Sequence, residues 1–121
     1  MRENLRVLVV EDEILLSMML EEMLDELGAL LVGSVKKVGD ALDTIRSQDC
    51  DCVLLDMNLG GERADEVAQE LKRREIPFAI LSGGPDISKD HGAATFVPKP
   101  YKFAQIEKAL AILERELKPQ E

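Results

Sequence analysis

Leu5-Arg6-Val7-Leu8-Val9-Val10-Glu11-Asp12-Glu13 runs from nearly continuous apolar character straight into three acids. A strand that is apolar at every alternate position on both faces is covered on both sides, as in a parallel sheet packed between helices. Working outward, Glu13 to Leu27 reads as a helix, with Leu16, Met19, Leu20, Met23, Leu24 and Leu27 at i, i+3, i+4 spacing and Gly28 as its terminator.

The alternation then repeats. Leu30 to Gly33 is a brief second strand, and Val38, Ala41, Leu42 and Ile45 mark one face of a second helix. Cys52 to Leu55 is a third strand, followed by an Asn58-Leu59-Gly60-Gly61 turn. A third helix carries Ala64, Val67, Ala68 and Leu71, closes on Lys72-Arg73-Arg74 and stops before Pro77. Phe78 to Leu81 and Thr95 to Val97 are the fourth and fifth strands, and Ile106, Leu110, Leu113 and Leu117 stripe the last helix. Between those two strands, Gly83 to Gly92 holds one large apolar residue and three glycines, so the fourth helix is expected to be short or irregular. Five βα units with right-handed crossovers predict an α/β, flavodoxin-like doubly wound sandwich with a parallel sheet of order 2-1-3-4-5.

The chain has 121 residues, 45% of them apolar and 32% charged, which predicts one ordered domain spanning 1–121 with its core over about 5–117. No output domain is expected after Leu117. A net charge of −9 argues against unaided nucleic-acid binding, which leaves a basic footprint. No apolar run approaches the ~20 residues that span a bilayer. Acids follow the first apolar run at once, unlike a signal peptide, so a cytoplasmic location is expected. Cys50 and Cys52 read as ordinary buried or edge thiols whose side chains share one face of the third strand.

In this architecture ligands bind beyond the carboxyl ends of the strands. The first strand ends in Glu11-Asp12, the third in Asp56, the fourth in Ser82, and the fifth in Lys99 just past Pro98. Three carboxylates converging there would repel one another without a cation. Hard oxygen donors suit Mg2+, which commonly takes one or two carboxylates together with a phosphate oxygen. Lys99 adds a fixed positive charge and Ser82 a hydroxyl donor, enough to hold a phosphoryl group neutralised from two sides. Taken singly, each signal is weak: acids after a strand complement a helix dipole, and a lone Asp before a Gly-containing loop is often a turn residue. Their joint order carries the argument.

Val7-Leu8-Val9-Val10-Glu11-Asp12-Glu13, Val53-Leu54-Leu55-Asp56-Met57-Asn58-Leu59, Ile80-Leu81-Ser82-Gly83 and Phe96-Val97-Pro98-Lys99-Pro100 together resemble the receiver domain of bacterial two-component response regulators, from about Leu5 to Leu117. The resemblance implies a stand-alone phosphorylation switch rather than an enzyme acting on other molecules. Asp56 would be the phosphoacceptor, taking its phosphoryl group from a histidine kinase or histidine phosphotransfer protein. Asp12 and Asp56 would bind Mg2+ directly, Glu11 mainly through water, and the backbone carbonyl of Asn58 would complete the protein ligands. Lys99 and Ser82 would bond the phosphoryl group, Lys99-Pro100 would be a cis peptide, and Phe96 would turn inward as a switch when Ser82 moves.

Output would pass through a protein partner, with the chain a monomer or weak dimer, acting either as an effector or as a phosphate sink. Tyr101 and Phe103 are left as either exposed anchors or packing for the final helix. Gly60 stands where many relatives carry proline and implies a more mobile loop, and the Ser82 to Lys99 stretch is shorter than usual. Gly83 and the short side chain of Asn58 leave the phosphoryl group open to donors and water. Two other classes compete with this reading. A Mg2+-dependent phosphohydrolase would usually need an Asp where Asn58 stands, and an interaction module with a silent site conflicts with the complete residue set.

Overall fold

The structure, a computed structural model, describes residues 4–82 and 92–117. Its elements are β1 (Arg6–Val10), α1 (Ile14–Glu26), β2 (Leu30–Val35), α2 (Val38–Ser47), β3 (Cys52–Asp56), β4 (Asn58–Leu59), β5 (Glu62–Arg63), α3 (Asp65–Arg73), β6 (Phe78–Ser82), β7 (Thr95–Pro98) and α4 (Phe103–Arg115). Five parallel strands form one sheet in the order β2-β1-β3-β6-β7, which is the predicted doubly wound order 2-1-3-4-5. The stretch expected to hold a short or irregular fourth helix, through His91, lies outside the described residues.

Side-chain alternation explains the two layers. Leu8 and Val10 of β1, Val53 and Leu55 of β3 and Ile80 of β6 point to one core, closed by Ala41, Leu42 and Ile45 of α2 and by Val67, Ala68 and Leu71 of α3. Val7, Val9, Leu54, Ala79, Leu81 and Val97 point to the other, closed by Leu20 and Leu24 of α1 and by Ile106, Leu110 and Leu113 of α4. Every residue of β3 is buried, as a strand covered on both faces requires.

Helix α1 ends as Gly28 led us to expect. Gly28 adopts φ +80°, its N–H donates to the Asp25 carbonyl, and the Ala29 N–H reaches back to Leu24, a Schellman closure. Met19, assigned to the apolar face by spacing, is instead 38% exposed, because it lies at the margin of a stripe centred on Ser17, Leu20 and Leu24. Cys50 and Cys52 do not share a face. Cys52 sits inside β3 in the α1/α4 core, whereas Cys50 precedes the strand, where strict alternation does not hold, and packs against the α2/α3 core. Both are free thiols, and burial pushes the Cys50 thiol up to about 11, away from the reactive thiolate.

The basic end of α3 does more than face the helix dipole. Arg73 Nη2 and Arg74 Nε donate to Glu70 Oε2 at 2.7 and 2.6 Å, and Arg46 of α2 approaches the same oxygen at 3.8 Å. The hydrogen bonds from Arg74 and Arg73 hold the Glu70 carboxyl below the usual glutamate range. Because its folded-state value is depressed, this carboxylate stabilises the fold above its unfolded value of about 4.3 and loses that contribution as pH falls through the lower folded value. Glu70→Gln is therefore expected to lower the melting temperature at pH 7. The gap to the unsubstituted chain should close in melts run progressively below about pH 4.

Candidate functional site

The carboxyl ends of β1, β3, β6 and β7 bring together every acid, hydroxyl and lysine singled out from the sequence. Glu11 follows β1 directly and is fully buried, Asp12 beside it is half-buried, and Asp56 closes β3 at 5% exposure. One oxygen from each of these three carboxylates lies within 4.8 Å of the others. Lys99, just past β7, places its Nζ 2.8 Å from Asp56 Oδ2 and 3.4 Å from Glu11 Oε1. Ser82 ends β6 in register with Pro98, and its carbonyl accepts the Lys99 N–H at 2.8 Å, which ties the lysine backbone to the neighbouring strand. The Lys99-Pro100 peptide is cis.

Plain turn and capping roles do not account for these acids. The first turn of α1 contains no acid, and Glu13 at its N-cap makes no side-chain cap. Glu11 instead folds back to accept the Glu13 N–H at 3.1 Å. Asp56 does take the turn role, its Oδ1 accepting the Asn58 N–H at 2.9 Å, but its other oxygen is committed to Lys99. Fixing both oxygens orients the carboxylate.

Beyond Asp56 the chain forms a small hairpin. Asn58 pairs with Arg63 and Leu59 with Glu62, and the joining Gly60 and Gly61 have φ of +62° and +93°. Positive φ at both central residues is what a two-residue type I′ turn demands, so the glycines here build a paired turn. The Gly61 N–H also donates to Asn58 Oδ1 at 2.9 Å. A Cβ on Gly60 would lie 3.7 Å from Asp12 Oδ2, so this turn borders the acid cluster.

Tyr101, ambiguous in the sequence, belongs to the site. It is buried at 3% exposure within the α1/α4 core, and its hydroxyl donates to Glu11 Oε1. Burial, then the hydrogen bond to Glu11 and the charge of Glu11, push its hydroxyl far above the ordinary tyrosine value, so it remains a donor. The available signal was a lone aromatic with a polar tip, two residues beyond a lysine at the liganding edge. Phe103 separates from it: it opens α4 and is 38% exposed. Phe96 points outward from the edge strand β7, 36% exposed.

The electrostatics favour a divalent cation. Burial raises the Glu11 carboxyl above its usual range, against the hydrogen bonds from Tyr101 and Glu13. Burial also opposes the charge on Lys99, but the hydrogen bond and charge of Asp56, with the charge of Glu11, outweigh it and raise the lysine. Three carboxylates facing one ammonium leave an excess of negative charge when all are ionised. The donors are all hard oxygens, which fits Mg2+. Two ligands of one Mg2+ lie at most about 4.2 Å apart, twice its bond length. A set lying within 4.8 Å is compatible with direct bonds from some carboxylates and water-mediated contact from others. Each Glu11 oxygen already accepts a hydrogen bond, which favours Glu11 for the water-mediated part.

The family model of the response regulator receiver domain matches residues 7–111. The chain belongs to this family. It is 27% identical over 113 residues to the transcriptional regulatory protein PdtaR of Mycobacterium tuberculosis, covering 88% of the chain and 55% of that relative. The chain thus spans about half the length of the curated relatives it matches first. Among solved structures, SdrG from Sphingomonas melonis Fr1 is 39% identical with a TM-score of 0.82, the match covering 94% of this chain and 99% of that one. SdrG has also been solved in a BeF3-activated conformation, at 40% identity and a TM-score of 0.77, with 93% and 98% covered. The receiver domain of the sensor histidine kinase PA1611 from Pseudomonas aeruginosa, 24% identical with a TM-score of 0.78 over 93% of this chain and 96% of that one, carries a magnesium ion in its active-site cleft. Receiver domains are phosphoacceptor switches in two-component signalling. No helix among the described residues of this receiver is long and apolar enough to cross a membrane.

Proposed function

We propose that this receiver takes a phosphoryl group on Asp56, from phosphohistidine of a histidine kinase or histidine phosphotransfer protein, at a Mg2+ site made by Asp12, Asp56 and the backbone carbonyl of Asn58, with Glu11 acting through water. The observation that carries the proposal is the two-sided fixing of Asp56: Asn58 N–H at 2.9 Å on one oxygen and Lys99 Nζ at 2.8 Å on the other, inside a cluster of three carboxylates.

Bound Mg2+ would supply charge neutralisation for the incoming phosphoryl oxygens. An Asp56 oxygen attacks phosphorus, the P–N bond of phosphohistidine breaks, and the electron pair leaves with the imidazole, which takes up a proton. Lys99 then turns from the Asp56 carboxylate to a phosphoryl oxygen without leaving its place, since its backbone is held to Ser82. The Ser82 hydroxyl, at the end of the adjacent strand, bonds another phosphoryl oxygen. Phe96 lies on the next strand, paired with Ile80, two residues from Ser82. Its outward position is the one it would leave if the movement of Ser82 opened space beneath it, and such a shift of population would alter the β7 face seen by a partner. The net charge of −9 suits contact with protein partners rather than unaided nucleic-acid binding, with the receiver serving as an effector or a phosphate sink.

Incubation with acetyl phosphate and MgCl2, followed by intact-protein mass measurement, tests the proposal. The expected result is gain of one phosphoryl mass, abolished by a chelator. Loading from acetyl phosphate or from a phosphorylated histidine phosphotransfer domain that is indifferent to Mg2+ would overturn the metal assignment. Failure to load from either donor would overturn the acceptor assignment.

A further inference from the structure

We propose that Tyr101 is a positioning residue for the cation site: its buried hydroxyl holds the Glu11 carboxylate so that Glu11 serves the cation while Lys99 stays with Asp56. This rests on the site reading given above and adds to it a residue whose hydroxyl has no part in the phosphoryl chemistry.

Glu11 is fully buried beside three potential partners: the Tyr101 hydroxyl, the Glu13 N–H and Lys99. Its Oε1 is contested, accepting from Tyr101 while Lys99 Nζ stands 3.4 Å away. That ammonium is closer to Asp56, at 2.8 Å. The phenol satisfies Oε1 without adding positive charge. If it is removed, a buried carboxylate oxygen loses a partner, and the nearest replacement is Lys99. Drawing Lys99 toward Glu11 would neutralise the acid that helps attract the cation and loosen the lysine from the acceptor. The ring itself packs in the α1/α4 core, so Tyr101→Phe keeps the packing and deletes only the hydroxyl.

The chain contains a single tyrosine and no tryptophan, so near-ultraviolet absorption and emission in the tyrosine range report on Tyr101 alone. Titrating the unsubstituted chain with MgCl2 is expected to shift that spectrum saturably, with the same midpoint as the heat of Mg2+ binding measured by calorimetry. Tyr101→Phe is expected to weaken Mg2+ binding by about tenfold, the scale of one hydrogen bond to a charged acceptor. In a Glu11→Gln background the same substitution should produce little further loss, since the hydroxyl acts through Glu11.

Saturable Mg2+ binding with an unmoved tyrosine spectrum would overturn the proposal, as would equal affinity in Tyr101→Phe; the metal site itself would survive both results. Absence of Mg2+ binding in the unsubstituted chain would remove the site reading and this inference together. If Tyr101→Phe fails to fold, the spectral titration of the unsubstituted chain decides alone.

Discussion

Replacing Lys99 with alanine is expected to slow phosphoryl uptake from acetyl phosphate by about 10²-fold or more while leaving Mg2+ binding intact or tighter. The loss follows from removing a preorganised positive charge from the place where phosphoryl charge must be held, an effect on the order of 10²–10³ in rate for a single donor in a comparable site. The opposite sign for the cation follows from the charge balance. Lys99 is the ammonium ion-paired with both Asp56 and Glu11, and its deletion leaves three clustered carboxylates with more uncompensated charge for a cation to relieve. The same imbalance predicts that the Lys99→Ala protein melts at a lower temperature without Mg2+ and recovers much of the difference when Mg2+ is added. Calorimetric Mg2+ titration, thermal melts with and without the ion, and time-resolved intact mass check the three parts. Parallel loss of cation binding and phosphoryl uptake would mean that Lys99 holds the site's structure rather than its charge.

Asp56→Asn is expected to abolish phosphoryl uptake outright. The amide has nearly the shape of the carboxylate and can still accept the Asn58 N–H through its oxygen, so the turn after β3 should survive. It lacks the nucleophilic charge, and the Lys99 contact at 2.8 Å loses its ionic character. Cation binding should weaken by roughly tenfold, because one of the three acids is neutralised while Lys99 remains. The measurement is intact mass for uptake and calorimetry for Mg2+, beside a far-ultraviolet check of the fold. Unchanged uptake in this variant would place the acceptor elsewhere, with Ser82 the nearest hydroxyl-bearing candidate singled out at the same edge.

Much of this arrangement is legible in the sequence. The near-continuous apolar character of β1 and β3 pointed to a sheet covered on both faces, and Leu8 and Val10 facing one core while Val7 and Val9 face the other is the consequence. The positions of Glu11, Asp12, Asp56, Ser82 and Lys99 were legible because each stands at the carboxyl end of a strand, and parallel topology sends those ends to one edge.

Where the reading fell short, the reasons are local. Met19 fits an i, i+3 rule but lies at the stripe's margin, and periodicity does not tell a margin from a centre. Cys50 and Cys52 obey alternation only within a strand, and Cys50 precedes it. Gly60 and Gly61 gave no hint of pairing because Asn58 to Arg63 contains too few residues for an alternating pattern. Tyr101 was ambiguous because packing and hydrogen bonding make the same demand for an aromatic there, and only the burial of Glu11 shows that the hydroxyl has a partner.

The most direct test of the central claim is to identify the phosphorylated atom's owner. After incubation with acetyl phosphate and MgCl2, borohydride reduction converts an aspartyl phosphate to homoserine, which peptide mass sequencing locates. The account predicts homoserine at position 56 and at no other aspartate, with none formed when a chelator is present. Homoserine at Asp12, or a stable phosphate ester on Ser82 with Asp56 unmodified, would contradict it.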